Sequence, residues 1–289
     1  MTLHLVRMVL ITGLLVLCMV YPYLPGKYDV VALPLSSAVQ LLAAVGLLFL
    51  PIGIPWLVYE LRKRARGDRH PSARPKGFYF AAIALITASL LAILISLGLF
   101  LGFGVSFGVL TLAVSMYALV QCIPRVREMR KAESAAIDPT PIYLVLLPPA
   151  LLLFQGMLAG PLTDFSRGRA IARSAEIVDA LEKHRAAHGR YPTSLLAVHD
   201  DYSPAVSGIE KFHYAASGDA YHLVFEQPRF LWDDLGVREF VVYNPLDEHA
   251  MAGHAAWILK WSPDAWPARH GWFAAHDAEV PHWKRFLFD

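Results

Sequence analysis

The sequence predicts a membrane α-helical part of five transmembrane helices, followed by an exported α+β domain whose long helix packs on an antiparallel sheet. Three observations predict it. The 289 residues are 56% hydrophobic and only 17% charged, with a mean hydropathy of +0.42, whereas soluble chains carry about 25% charged residues. Five apolar stretches, each near the roughly 20 residues that cross a hydrocarbon core of about 30 Å, fall before Pro161. Charge then divides the chain: 13 basic and 6 acidic residues lie through Pro161, and 13 basic and 18 acidic beyond it. Residues 1–161 are therefore expected as the five-span part and residues 162–289 as the exported domain. This composition excludes a disordered or collagen-like chain.

The spans are expected at Met8–Leu24, Ala38–Leu61, Phe78–Phe100, Val105–Ile123 and Ile142–Gly160. None carries an internal Lys, Arg or Asp, and Glu60 sits only at the end of the second. Seven basic residues from Arg62 to Lys76 separate spans two and three, and Arg125, Arg127, Arg130 and Lys131 separate spans four and five. Basic loops stay cytoplasmic, so five spans place the N-terminus inside and the C-terminal domain outside. Arg7 and the apolar run after it resemble a signal peptide, yet no small-x-small cleavage site follows. The first span reads as an uncleaved anchor.

Inside the spans the strongest polar groups are Gln40, Gln121 and Gln155. With no ionisable group at depth, an ion or proton pathway has no sequence signal. Pro51 and Pro55, and the pair Pro148-Pro149, are expected to kink or break their helices. Gly98, Gly102, Gly104 and Gly108 have the small-xxx-small spacing of close helix packing. Cys18 and Cys122 lie in or beside spans, so the exported domain has no cysteine for a disulfide or a thiolate zinc site.

In the exported part, Asp164 or Ser166 is expected to cap a helix running to His188. Ile171, Ala175, Val178 and Leu181 form its apolar stripe, and Gly189 ends it. Strands are expected at Phe212–Ala215 and Tyr221–Phe225, joined by Ser217-Gly218-Asp219. Two more are expected at Arg238–Tyr243 and Ala256–Trp261. The tail from Ser262 shows no period.

The run from Asp179 to Leu195, with His188-Gly189-Arg190-Tyr191-Pro192 at its centre, resembles the helix end and following turn of type IV pilin-like proteins. It is most similar to the major pseudopilins of type II secretion, over about Ile142–Trp261. The resemblance implies a pilin-like fold: an apolar helix that becomes amphipathic, ends at a Gly-x-Tyr-Pro turn and lies on an antiparallel sheet. It also implies other envelope, secretion or pilus proteins as partners. The family's prepilin signature is not present before the apolar segment, where Asp138-Pro139-Thr140-Pro141 stands instead. A pilin-like domain on a fixed membrane base, not processed into a fibre, is the expectation.

Ten of the twelve histidines are in the exported part. His184 and His188 share a helix face at the spacing of His-Glu-x-x-His zinc enzymes, but Arg185 replaces the glutamate that would act as base. His199, Asp200 and Asp201, and likewise Asp247-Glu248-His249, offer oxygen and nitrogen ligands for a divalent ion, without the EF-hand order; some pseudopilins hold calcium. No nucleophile elbow and no phosphate-binding glycine loop occurs, so no catalytic residue is singled out and no organic cofactor is expected. Trp266, Trp272 and Trp283 in the tail are candidate stacking residues for a glycan or peptide partner. The basic loops are topology determinants that touch anionic headgroups, and nucleic acid is not an expected partner. The functional expectation is a non-enzymatic envelope protein with a scaffold, assembly or ligand-binding role, in the inner membrane with a periplasmic domain. An envelope enzyme with a His/carboxylate site and a small-solute transporter are the alternatives.

Overall fold

The computed structural model describes residues 2–66, 76–131, 138–217, 219–233, 237–249 and 274–288. Five helical segments are long and apolar enough to cross a membrane: His4–Tyr23, Ala32–Ala65, Lys76–Phe103, Val105–Arg130 and Thr140–His188. They overlap α1 (Thr2–Val20), α2 (Ala32–Gly46) with α3 (Leu50–Arg66), α4 (Lys76–Phe103), α5 (Val105–Lys131) and α6 (Thr140–His188). The chain forms two compact units. The first is Met1–Met19 with Pro34–Gly156; the second is Met157–Asp289 together with the distant segment Val20–Leu33.

In the first unit, α2 and α3 make one apolar segment interrupted by a 3-10 turn at Leu47–Phe49, one residue short of Pro51. Proline has no N–H to give the fourth carbonyl back and its ring crowds that carbonyl, so the turn tightens there. Pro148-Pro149 behave differently, since α6 is assigned as helix straight through them. Pro148 packs over Gly46, where a Cβ would lie 2.8 Å from the proline ring, and Val145 packs at Gly53. Helices α4 and α5 are joined through one residue, Gly104, at φ +95°. Of the four glycines flanking that turn, Gly108 makes the closest approach: a Cβ there would meet Phe100 Cβ at 2.6 Å and Ser96 O at 2.9 Å.

Two polar clusters occur in this unit. Ser36 donates to the Met19 carbonyl, Gln40 Nε2 donates to Ser36 Oγ at 3.0 Å, and Gln155 Nε2 donates to Gln40 Oε1 at 3.2 Å. All three side chains are buried. Such a ladder links α1, α2 and α6 where water is scarce. The second cluster is ionic. Glu60, buried, lies 3.3 Å from Lys63 Nζ and accepts from the Asp138 N–H. Asp138 in turn holds the N–H and hydroxyl of Thr140 at the start of α6.

In the second unit, the later part of α6 and a five-stranded sheet share one core. The strands are β1 (His213–Ser217), β2 (Ala220–Gln227), β3 (Arg238–Tyr243), β4 (Ala274–Asp277) and β5 (Trp283–Phe288). All pairs are antiparallel, in the order β1-β2-β3-β5-β4. The register sets Ser217 opposite Ala220, Val224 opposite Val242 and Tyr243 opposite Trp283. Ala170, Ile171, Ile177 and Leu181 of α6 meet Tyr221, Leu223, Phe225, Val241 and Trp283 in that core.

Three expectations shift. No separate helix begins at Asp164 or Ser166, because α6 is continuous across both residues. Asp164 instead pairs with Arg167 at 2.8 Å, and Ser166 is buried, accepting from Gln227 Nε2 of β2 at 2.7 Å. The apolar stripe includes Ile177 in place of exposed Ala175. Ser174 takes the helical position between Ile171 and Ile177, and it can be buried because its hydroxyl donates to the Ile171 carbonyl at 2.6 Å. Finally, β4 and β5 lie in the tail, where the sequence shows no period. The strand expected at 256–261 lies outside the described residues.

Candidate functional site

The second unit is built around two chain exits. At the first, Gly189 adopts φ +73° and its N–H donates to the Arg185 carbonyl at 2.7 Å, which closes α6. Tyr191 then folds back on the helix. Its hydroxyl donates to Glu182 at 2.9 Å and accepts from Arg185 at 2.9 Å, and the Arg185 guanidinium stacks 4.8 Å over its ring. Tyr214 of β1 donates to the Pro192 carbonyl at 2.8 Å, so helix, turn and sheet edge are tied through one dipeptide. Beside this turn a groove of about 240 Å³ runs between Ser194–Leu196 and Phe212–Tyr214. Leu196, 65% exposed, stands at the groove. The outer side of β1 has no strand partner among the described residues.

At the second exit, the short segment between α1 and α2 is woven into the domain. The Gly26 N–H donates to Ala205 O, Ser207 N–H to Leu24 O, Asp29 N–H to Ser207 O and Gly208 N–H to Pro22 O, all at 2.8–3.1 Å. Tyr23 is fully buried and stacks on Phe230, with ring centroids 4.6 Å apart and planes within 5°. Gly208 is required by closeness, because a Cβ would fall 2.6 Å from the Pro22 carbonyl oxygen. Nearby, buried Glu239 of β3 is held by Arg167 of α6 at 3.1 Å and by Arg229 at 2.9 Å. A carboxylate between two guanidinium groups satisfies the charge that burial would otherwise penalise.

The histidine and carboxylate candidates are dispersed. His184 and His188 are exposed or half-exposed on α6 with rings stacked 4.2 Å apart, and His188 Nδ1 lies 3.0 Å from the His184 carbonyl. His199 Nδ1 accepts from the Asp201 N–H at 3.1 Å. Asp201 accepts from the Ser203 N–H at 2.9 Å and from Arg173 at 3.2 Å. Those bonds hold its carboxyl below the usual aspartate pKa, the backbone N–H contributing most. Asp200 is exposed. In the other acidic turn, Asp247 (φ +59°) lies 3.1 Å from His282, and His249 lies 3.0 Å from the His282 carbonyl. Buried His222 contacts the Glu248 carbonyl and Asn244, each at 3.2 Å, and burial pushes its pKa down to about 4. Among the described residues no group of three or more His, Cys, Asp or Glu side chains converges to hold a metal ion. Trp283 is a buried core residue that packs against Phe225 and Tyr243. Trp266 and Trp272 lie outside the described residues.

The sequence reading left the Val20–Leu33 segment as an ordinary short connection. Its signal was its density of aromatic and turn residues, Tyr21-Pro22-Tyr23-Leu24-Pro25-Gly26 and Tyr28, too rich for a bare linker. No family model, curated protein or solved structure matches the chain.

Proposed function

We propose that this is an integral inner-membrane protein of an envelope-bearing bacterium. Its five apolar helices cross the bilayer with the N-terminus in the cytoplasm, and they hold a pilin-like domain in the periplasm for a non-enzymatic scaffold, assembly or ligand-binding role. The observation that carries this reading is the shared compact unit of Val20–Leu33 and Met157–Asp289. A segment hydrogen-bonded into the domain lies on the domain's side of the membrane. With spans alternating in direction, the basic connections around Arg62–Lys76 and Arg125–Lys131 then fall on the other side, where positive loops belong.

The pilin-like part is supported by the order of elements: a long helix, a glycine stop, the Tyr191-Pro192 turn tied to Glu182 and Arg185, then antiparallel β1, β2 and β3. A binding or scaffold role is supported by the groove beside β1 and by exposed Leu196. Reporter fusions test the placement. A reporter active only outside the cytoplasm is expected to work when fused after Asp289 and to be silent at Arg69. The opposite pattern overturns the proposal.

A further inference from the structure

We propose that a cleft in the first unit holds one acyl chain of an anionic phospholipid, with the lipid phosphate at Arg125. The proposal rests on the membrane reading above and adds a ligand to it. The cleft has a volume of about 260 Å³ and lies among α3, α4, α5 and the start of α6. Ala81, Ala84 and Ala88 line it from α4. Their spacing puts all three on one helix face, where side chains that stop at Cβ leave the space open. Trp56 and Leu119 line it from α3 and α5. A space walled by small and apolar side chains suits a length of hydrocarbon chain.

The chemistry of the lining selects the occupant. Water needs two to four polar partners to fill a cavity, and the polar side chains in this lining are few: Arg125, Asp138 and Thr140, with the Trp56 indole N–H and the Cys122 thiol. An empty apolar cleft forfeits the dispersion contacts of its walls, and a bilayer supplies hydrocarbon to restore them. The same polar groups set the headgroup. Asp138 is engaged within the protein, accepting from the Thr140 N–H at 2.9 Å and the Thr140 hydroxyl at 2.6 Å. Arg125 is ion-paired with it through one guanidinium nitrogen at 3.5 Å and keeps its side chain 64% exposed, which leaves further N–H donors for a phosphate. Among the described residues, the end of α3, the start of α4, the end of α5 and Asp138 together hold nine basic and three acidic side chains, and basic groups at the ends of membrane helices favour an anionic headgroup. The Trp56 indole N–H, buried, has no hydrogen-bond acceptor among the described residues, and a lipid ester carbonyl is an acceptor of the right kind.

Trp56 is also the only tryptophan before Pro161, which makes the proposal measurable. The full chain and its Trp56→Phe variant are reconstituted in vesicles of unbrominated phosphatidylcholine, doped with phosphatidylglycerol or phosphatidylcholine brominated in the acyl chains. The difference between the two proteins isolates Trp56 fluorescence. Bromination quenches on contact, and the Arg125→Gln variant separates occupancy of the cleft from general enrichment of anionic lipid by the other basic groups. Half-maximal quenching of Trp56 is expected at a mole fraction of brominated phosphatidylglycerol about tenfold below that of brominated phosphatidylcholine, the ratio a single strong phosphate contact supplies. Arg125→Gln should abolish the preference and Arg125→Lys should keep most of it. Equal quenching by the two lipids, no quenching by either, or a preference unchanged in Arg125→Gln overturns the proposal. Failure of the protein to float with the vesicles would instead overturn the membrane reading.

Discussion

Replacing Tyr23 with alanine removes the ring that anchors the Val20–Leu33 segment to the domain. Tyr23 is fully buried and stacked on Phe230, itself 1% exposed. Aromatic-to-alanine truncation at a buried site costs about 3–5 kcal/mol, since transfer free energy is lost and a cavity remains. For a unit of this size, 1 kcal/mol moves Tm by about 2–4 °C, so a fall on the order of 10 °C is expected. The near-UV circular dichroism of the purified full chain in detergent reads it, because Trp283, Tyr221 and Tyr243 sit in the same unit's core. Tyr23→Phe keeps the stack and should stay within about 1 kcal/mol of wild type. Gly208→Ala should act like Tyr23→Ala, because the new Cβ meets Pro22 O at 2.6 Å. Tyr79→Ala, at a side chain 57% exposed, is the control and should leave the transition in place. A Tyr23→Ala protein that melts within 2 °C of wild type, roughly 1 kcal/mol, would refute the view that this segment is part of the domain.

Glu239→Gln should destabilise the same unit by about 3 kcal/mol or more, because Arg167 and Arg229 are left facing each other without their shared carboxylate; thermal unfolding checks it, and an unchanged Tm would count against the ionic cluster. His222 should make stability acid-sensitive. Burial holds its folded pKa at about 4 against 6.5 for a free imidazole, so the unfolded state binds the proton first. The His222 contribution is complete above pH 6.5 and is lost as pH falls toward 4; between pH 7 and pH 5 the loss is about 2 kcal/mol. Denaturant titration at the two pH values should show that difference in wild type and not in His222→Gln. In cells with an active prepilin peptidase the chain should keep its full 32.1 kDa; intact-mass detection of a fragment beginning between Pro139 and Phe154 would show pilin-type processing.

The five apolar helices were legible because composition alone specifies them: 20-residue runs without charge have few other fates. The helix end at Gly189 was legible for a similar local reason, since one residue carries the left-handed backbone. The antiparallel pairing of β1 with β2 announced itself through the turn residues Ser217-Gly218-Asp219 between two aromatic-rich runs. Harder to read was anything decided by distant partners. Ser174 looks like a surface residue until its hydroxyl is seen to bond back to Ile171. Ser166 looks like a helix cap until Gln227 of β2 is found against it. Strands β4 and β5 lack an apolar period: β5, Trp-Lys-Arg-Phe-Leu-Phe, buries Trp283, Phe286 and Phe288 while Lys284 and Arg285 remain partly exposed. The paired histidines had the right spacing for a metal, yet the two rings stack on each other and His188 turns to the His184 carbonyl, which spacing does not reveal.

The weaving of Val20–Leu33 into the second unit constrains both how the domain forms and how it could be released. Ser207 Oγ donates to the Leu24 carbonyl across 183 residues of chain, so this contact closes only after the C-terminal part has been made. Pairings of such sequence separation are slow, because loop closure precedes the contacts that reward it. Release meets the same knot from the other direction. A pilin subunit leaves the membrane with its own apolar helix as a single continuous piece. Here one cut before that helix would still leave part of the domain's core, Tyr23 included, attached between α1 and α2. Leaving would tear the Tyr23–Phe230 stack and the backbone pairing at Ala205–Gly208. With the topology proposed above, leaving uncut would draw Arg125, Arg127, Arg130 and Lys131 through the bilayer, at about 2.5–3.5 kcal/mol per basic residue. Either route removes stabilisation comparable to that of a whole domain. On the reading proposed above, the domain is therefore fixed to its membrane base and is not released as a pilin subunit is.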